Sequence, residues 1–359
     1  ELIRGIGAPE TFAVGNGQLP LSQLQWWLES LLNLEDETHR NRFLYTGFPN
    51  LLNGDHARRQ KDSPGFTAWD GWVREAADQL HPTKLKLVSP SRLETYGQCG
   101  RKYLFRYGLG LYPPQDRNSE EYLWLDPLQK GNLLHQVFER FLFQLTERNL
   151  IPDRNRDATL LEETLQQAIE VSLAQVPVRI AEGFDRQVQE LKHICRIFLQ
   201  KEEEYCRTTG ARPRVMEVSL GLGEPPRSAW DCTEPVPLEL SDKRVLYLGG
   251  RIDRIDEIQR NGTRLYGIWD YKTGSSYSFS PNDPFQSGRK LQPYLYLGLL
   301  RHQLRTMEGE TQAGFFGYFF PNTKEGGLRM QWTPSQLQSG DQILRLICDA
   351  IGNGVFVAT

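Results

Sequence analysis

Apolar residues change their spacing along this sequence from a helical to a strand period and back, and those changes limit the folds open to it. Leu134, Phe138, Phe141, Leu142 and Leu145 recur three and four apart, so residues 128–145 are predicted as a helix, with 158–173 and 187–205 as two more. From Val215 the period shortens. Residues 215–220 read as a strand, 236–240 and 244–258 as a hairpin turning near Ser241-Asp242, and 264–271 as the next strand. Residues 289–300 return to helix, 314–320 to strand and 335–350 to helix. Helices first, strands next, then a helix and a strand again predict one mixed α/β domain, not a doubly wound sheet. There is no internal repeat and no glycine fingerprint for a dinucleotide or P-loop site.

The first 85 residues read differently. Leu21, Leu24, Trp27, Leu28 and Leu31 predict one amphipathic helix, residues 33–65 a polar, loop-rich stretch, and residues 67–80 a second helix ended by His81-Pro82. Residues 1–85 are thus expected to form a helical and loop extension, and residues 86–359 the main domain. There Ser89-Pro90-Ser91 opens a helix carrying Leu93, Tyr96, Cys99, Tyr103 and Leu104. Glu94 stands three residues after Ser91, as in a capping box. A polar loop is expected over 113–121.

Composition limits function. The 42 Lys+Arg against 45 Asp+Glu, a net charge of -3, exclude a wholly basic nucleic-acid coat. They leave room for a local basic channel around an acidic, metal-binding site. No apolar run approaches the roughly 20 residues a membrane helix needs, and no signal-peptide pattern is visible. Cys99, Cys195, Cys206, Cys232 and Cys348 form no close pair. Free thiols in a reducing compartment are expected, with no self-contained zinc site. Glu1 in place of methionine, and a predicted helix and Gly-rich turn just before Thr359, lead to the expectation that the chain is cut from a longer protein.

Six short stretches carry chemistry. In Asp270-Tyr271-Lys272-Thr273-Gly274, at a predicted strand end, Asp270 and Lys272 share one face. A carboxylate there can ligate Mg²⁺, and the lysine can orient or activate a metal-bound water; a surface ion pair is the plainer alternative. Asp253, after Gly249-Gly250 in an apolar strand, either binds a cation or pairs outward with Arg251 or Arg254 on an edge strand. The glycine pair suggests a bulge or close backbone approach. His135, on the apolar stripe of its helix, is a core histidine or a ligand, and Glu217 is a strand glutamate or a site acid. Gln292 and Tyr296 sit at i and i+4 and share a helix face, suited either to packing or to phosphate. Arg101, Lys102 and Arg106 interleave with Tyr103, Phe105 and Tyr107, as a single strand of DNA or an ordinary basic helix face would require.

Taken in order, these stretches resemble the RecB-like branch of the PD-(D/E)xK nuclease superfamily, in particular the C-terminal exonuclease domain of AddB-type helicase–nuclease subunits. The likeness runs over residues 87 to 359. It rests on Ser89-Pro90-Ser91-Arg92-Leu93-Glu94-Thr95-Tyr96, Cys99 with Arg101-Lys102-Tyr103, Leu109-Gly110-Leu111, Gly131-Asn132-Leu133-Leu134-His135, Gly250-Arg251-Ile252-Asp253-Arg254-Ile255-Asp256, Asp270-Tyr271-Lys272-Thr273-Gly274 and Gln292-Pro293-Tyr294-Leu295-Tyr296. The resemblance implies a restriction-endonuclease-like core, a mixed central sheet flanked by helices, after a helical N-terminal extension that is the tail of a helicase-like region. It implies metal-dependent hydrolysis of DNA, single-stranded above all, in a bacterial cytoplasmic helicase–nuclease that repairs double-strand breaks with a partner subunit. His135, Asp253, Asp270 and the Tyr271 carbonyl would hold Mg²⁺ or Mn²⁺. Lys272 would position the water and stabilise the phosphorane, Glu217 would fill the early acidic position, and Gln292, Tyr296, Arg101 and Lys102 would hold DNA. An inactive module binding DNA or a partner, and a stand-alone nuclease, are the alternatives; the intact acidic and lysine set argues against the first.

The chain departs from that family in two places. Gly100 stands where relatives often have proline after the first cysteine. Many relatives also carry an iron–sulfur cluster whose first cysteine matches Cys99. Its other three would lie beyond Gly354-Val355-Phe356, so this sequence cannot assemble the cluster and is expected to be truncated before it. Without the cluster, residues 87–107 are expected to be less firmly pinned to the C-terminus.

Overall fold

A computed structural model describes residues 18–60, 65–113, 123–260, 262–306 and 311–359. The polar loop expected over 113–121 lies outside the described residues, apart from Pro113. The chain divides into two compact units, Glu1–Asp70 and Gly71–Thr359. None of its helices, among the described residues, is long and apolar enough to cross a membrane.

The first unit holds helices α1 (Gln23–Leu32), α2 (Glu37–Gly47) and α3 (Pro49–Gln60). The first matches the predicted helix; the other two replace the expected loop. They escape a periodicity search because neither buries a residue. What marks them is polar: Asp36 caps α2 by accepting the Thr38 N–H, and Arg58 and Arg59 fill the last turn of α3.

The second unit opens with 3₁₀ turns and one short helix, α4 (Ala77–Leu80), in place of the helix predicted over 67–80. Gly71 explains the break. Its φ is 107°, and a Cβ there would lie 2.3 Å from the Phe356 carbonyl oxygen. Next come α5 (Pro90–Gln98) and α6 (Gly100–Tyr103), two helices where one was expected, parted by Cys99 in an extended conformation. Three long helices follow, α7 (Pro127–Glu147), α8 (Arg154–Gln175) and α9 (Ala181–Thr209). Asp126 and Gln129 close a capping box at the start of α7.

The strands are β1 (Arg212–Leu220), β2 (Val236–Glu239), β3 (Val245–Leu248), β4 (Gly250–Arg260) and β5 (Thr263–Tyr271), then β6 (Thr311–Phe320) and β7 (Leu328–Trp332). Helix α10 (Gln292–Leu304) joins β5 to β6, and α11 (Gly340–Gly352) comes last. The predicted strand over 244–258 is two strands. Its first half pairs with β2 as the expected hairpin, and its second half enters the main sheet, ordered β1-β4-β5-β6-β7. Gly249 and Gly250 stand at the junction because backbone and rings crowd there: added Cβ atoms would meet the Gly221 carbonyl at 2.9 Å and the Tyr296 ring at 3.0 Å. Among the described strands only β5 and β6 pair in parallel, as a crossover through a helix demands. Strand β7 is absent from the sequence-based prediction.

Each face of the sheet buries a separate core. On one, α7, α8 and α9 cover Trp269, Tyr271, Phe315 and Phe319. Phe138 and Phe198 stack there with ring centroids 3.9 Å apart. On the other, α5, α10, α11 and the small hairpin cover Ile252, Ile255, Ile268 and Phe316. Each such side chain, fully buried, contributes about 1.5–3 kcal/mol.

The chain's last residues clasp its earlier ones. Phe356 donates its N–H to the Gly71 carbonyl (2.7 Å), Val73 to Gly354 (2.8 Å) and Arg101 to Val357 (3.1 Å). The Tyr96 hydroxyl donates to the Val355 carbonyl (2.6 Å) and the Thr359 hydroxyl to that of Gln98 (2.6 Å). The expected loosening of residues 87–107 is therefore not found, since hydrogen bonds make the tie without a cluster.

Candidate active site

Strand register brings the acidic residues together. Arg254 faces Trp269 across β4 and β5, which sets Asp253 beside Asp270. Met216 and Val218 face Arg254 and Ile252, which sets Glu217 opposite Asp253. Strand β4 is thus interior, and the outward, edge-strand reading of Asp253 does not hold. Ile252 and Ile255 enter the same core although three residues apart, so strict alternation fails here. Opposite the break, Glu217 has φ 53°, a region that costs a non-glycine residue about 1–3 kcal/mol.

At this break His135 of α7 meets the two carboxylates. Its Nδ1 lies 3.5 Å from Asp253 Oδ2, which also accepts the Tyr271 N–H at 2.8 Å. His135, Glu217 and Asp253 each present a ligand atom within 4.8 Å of the others. Burial, then the Asp270 charge, push Asp253 up to about 6. Burial, then Asp253 and Glu139, push Glu217 up to about 8. One imidazole and two carboxylates, crowded enough to resist ionisation, form a donor set that fits a divalent cation.

The other expected ligands lie next to this group. Glu217 completes the group with His135 and Asp253. Asp270 stands beside it, its carboxylate held by the Lys272 ammonium and by Gln292 Nε2. The Tyr271 ring enters the core against Phe138 and Phe198. Lys272 Nζ also lies 3.4 Å from Gln292 Oε1 and 5.2 Å over the Tyr318 ring. Burial alone would lower its pKa, but Asp270 and Asp253 outweigh that and raise it, so Lys272 is a fixed cation and not a base at neutral pH.

A groove of about 450 Å³ reaches this pair, lined by Ser89, Ser91, Glu94, Lys272, Gln292 and Tyr296. A second hollow of about 490 Å³ reaches Glu217 from the other side, past Glu139, Arg214 and Arg227. Gln292 and Tyr296 thus line the groove beside Lys272. Arg101 and Lys102 line neither space. They sit on α6, beside the C-terminal clasp. Cys99 is there too: burial raises its thiol, but N–H groups of Thr359, Lys102 and Arg101 outweigh this and hold it below the usual value. Cys195, Cys206 and Cys348 are buried in α9 and α11, so the cysteines of this chain do not fit a four-cysteine cluster.

Two features were invisible to sequence reasoning. One is a buried charge network beneath the site. Arg254 binds Asp256 through Nε and Nη2 (2.6 and 2.8 Å), Glu202 of α9 (2.7 Å) and the Tyr271 hydroxyl (3.3 Å). It ties the strand of Asp253 to α9, through partners over 50 residues apart in sequence. The other is Glu94. Instead of capping its own helix, where Ser89 accepts the Arg92 N–H, it caps α10, accepting the N–H groups of Leu291 (2.7 Å) and Gln292 (2.9 Å). Glu94→Ala is expected to destabilise the fold by about 1 kcal/mol and to slow single-turnover DNA cleavage roughly 10- to 100-fold by releasing Gln292. Glu94→Gln keeps an acceptor and should retain most of the rate; equal losses in both variants would refute the positioning role.

A parallel strand pair whose end carries an Asp-x-Lys motif, with a further aspartate on the adjoining strand, is the architecture of a nuclease core. The family model of the PD-(D/E)XK nuclease superfamily matches residues 87–359, and the chain is a member of that superfamily. Among curated proteins it is similar to an ATP-dependent helicase/deoxyribonuclease subunit of Clostridium botulinum (strain Hall), 26% identical over 226 residues, 62% of this chain and 18% of the relative. The corresponding protein of Moorella thermoacetica is 29% identical over 206 residues (55% and 16%), and that of Clostridium acetobutylicum 28% over 249 residues (68% and 20%). The chain spans about a fifth of the length of these relatives.

Proposed function

We propose that this chain is the nuclease module of a bacterial DNA helicase–nuclease, an exonuclease that hydrolyses phosphodiester bonds of DNA, single strands in particular, with Mg²⁺ or Mn²⁺. The observation that carries the reading is the meeting of His135, Glu217 and Asp253 beside the Asp270–Lys272 pair at the end of an open groove. A divalent cation held by the first three would supply Lewis-acid charge and an activated water. Lys272 faces the position where the phosphoryl group gains negative charge, and a fixed cation there favours the transition state over the substrate. Asp270 and Gln292 hold the ammonium in place. Ser89, Ser91 and Tyr296 offer hydroxyls along the groove to the DNA backbone. The relatives' names, each a subunit of an ATP-dependent helicase/deoxyribonuclease, support a role beside a partner subunit; an iron–sulfur cluster in the whole protein would need cysteines from outside this sequence.

The test is incubation of the protein with end-labelled single-stranded and duplex DNA, with Mg²⁺, with Mn²⁺ and with EDTA. Metal-dependent shortening of the label, faster on the single strand, is expected. DNA binding without cleavage under every metal would replace the enzyme by a binding module.

A further inference from the structure

Tyr277 is 96% exposed, at the tip of the segment that leaves the catalytic strand after Lys272-Thr273-Gly274. A large aromatic ring left in water on a loose loop would mean little. This one stands on a braced turn. Glu325, in the turn between β6 and β7, accepts the Ser276 N–H (2.9 Å) and the Ser276 hydroxyl (2.7 Å). Ser275 Oγ accepts the Tyr277 N–H at 3.2 Å, and Asn322 Nδ2 donates to the Gly274 carbonyl at 2.9 Å. The backbone beneath the ring is therefore fixed on both sides, while the ring itself has almost no protein contact.

The turn also belongs to the neighbourhood of the site. Two residues on, Phe279 packs edge-on against Tyr318 with centroids 4.7 Å apart, and the same Tyr318 ring carries the Lys272 ammonium. Cations flank the turn. Lys290 Nζ lies 4.5 Å over the Phe279 ring, and Lys324, exposed, donates to Ser275 Oγ at 3.2 Å. Tyr277 follows Lys272 by five positions, so their Cα atoms lie within about 18 Å, a span of a few nucleotides.

We propose that Tyr277 is a stacking platform for one base of a single-stranded DNA substrate, with Lys324 taking a nearby phosphate. The inference rests on the nuclease reading and deepens it by assigning a contact to the strand beyond the scissile phosphate. A pre-fixed ring loses little freedom when a base covers it, and every base has a face to offer, so the contact is tolerant of sequence. It discriminates against duplex, whose bases are already stacked.

The test uses an oligothymidylate with one abasic nucleotide moved along it, bound by wild type and by Tyr277→Ala and Tyr277→Trp, with Ca²⁺ in place of the active metal. Tyr277→Ala is expected to weaken binding about tenfold, and Tyr277→Trp to keep it. One abasic position should weaken wild-type binding by a similar factor and leave Tyr277→Ala unaffected. Undiminished binding by Tyr277→Ala, or abasic losses that simply add to its own, would overturn the platform. Cleavage of the same oligonucleotide by wild type with Mn²⁺ is scored separately, so a protein that stacks the base but does not cut refutes the nuclease reading alone.

Discussion

Lys272→Ala is expected to lower the rate of DNA cleavage about 10³-fold while leaving DNA affinity close to wild type. The ammonium is the only cation that touches Asp270 among the described residues, and it is held from two further sides by Gln292 and the Tyr318 ring. Asp270 and Asp253 raise its pKa against the effect of burial, and the contribution proposed for it is charge at a fixed point, which alanine removes entirely. Affinity depends on many groove contacts and on phosphate charge, and one residue changes it little. Single-turnover cleavage measures the first quantity, and binding with Ca²⁺ the second. A variant that turns over at the wild-type rate would reduce the Asp270–Lys272 pair to a structural ion pair.

The second large effect is a pH-dependent stability that a metal ion reverses. In the metal-free protein Asp253 is raised from 3.8 to about 6 and Glu217 from 4.5 to about 8, in both cases chiefly by burial. A carboxyl whose folded pKa exceeds its unfolded value makes the folded state bind more protons than the unfolded state. Stability is then greatest below the unfolded value and is lost as pH rises to the folded one. Melting in EDTA should therefore fall from about pH 4 to pH 8, as these pKa values set the window. Mn²⁺ or Mg²⁺ should restore it, with a larger gain at pH 8 than at pH 5.5, where protons compete for the same oxygens. Glu217→Gln should raise the metal-free melting temperature at pH 8 by several degrees, flatten the pH slope and weaken the response to Mn²⁺. A slope unchanged in that variant would separate Glu217 from the metal group.

Much of this was legible in the sequence for a physical reason. The long helices show because each buries one stripe, and the end of β5 shows because Asp270 and Lys272 follow an apolar run. What stayed hidden depends on partners distant along the chain. The shared face of Asp270 and Lys272 follows from strand geometry alone, but the grouping of Glu217 with Asp253 needs the register of β1 on β4. Glu94 has a local pattern that suggests a cap for its own helix, and only the docking of α5 on α10 redirects it. That Arg101 and Lys102 lie on α6, outside both hollows, is set by the docking of α6 and not by their spacing. Helices α2 and α3 bury nothing, so they carry no stripe to read.

The clasp also orders events during synthesis. Tyr96 must wait for Val355, 259 residues later, and Gln98 for Thr359, 261 residues later. Glu94 waits for Leu291, 197 residues on. At roughly 5–20 residues per second, the clasp partners emerge roughly 13–50 s apart. Until α10 emerges Glu94 has no helix to cap, and until Val355 and Thr359 emerge α5 lacks its terminal tie. An unfinished chain therefore lacks the tie that fastens α5, the helix whose carboxylate caps α10, until its last residues are made.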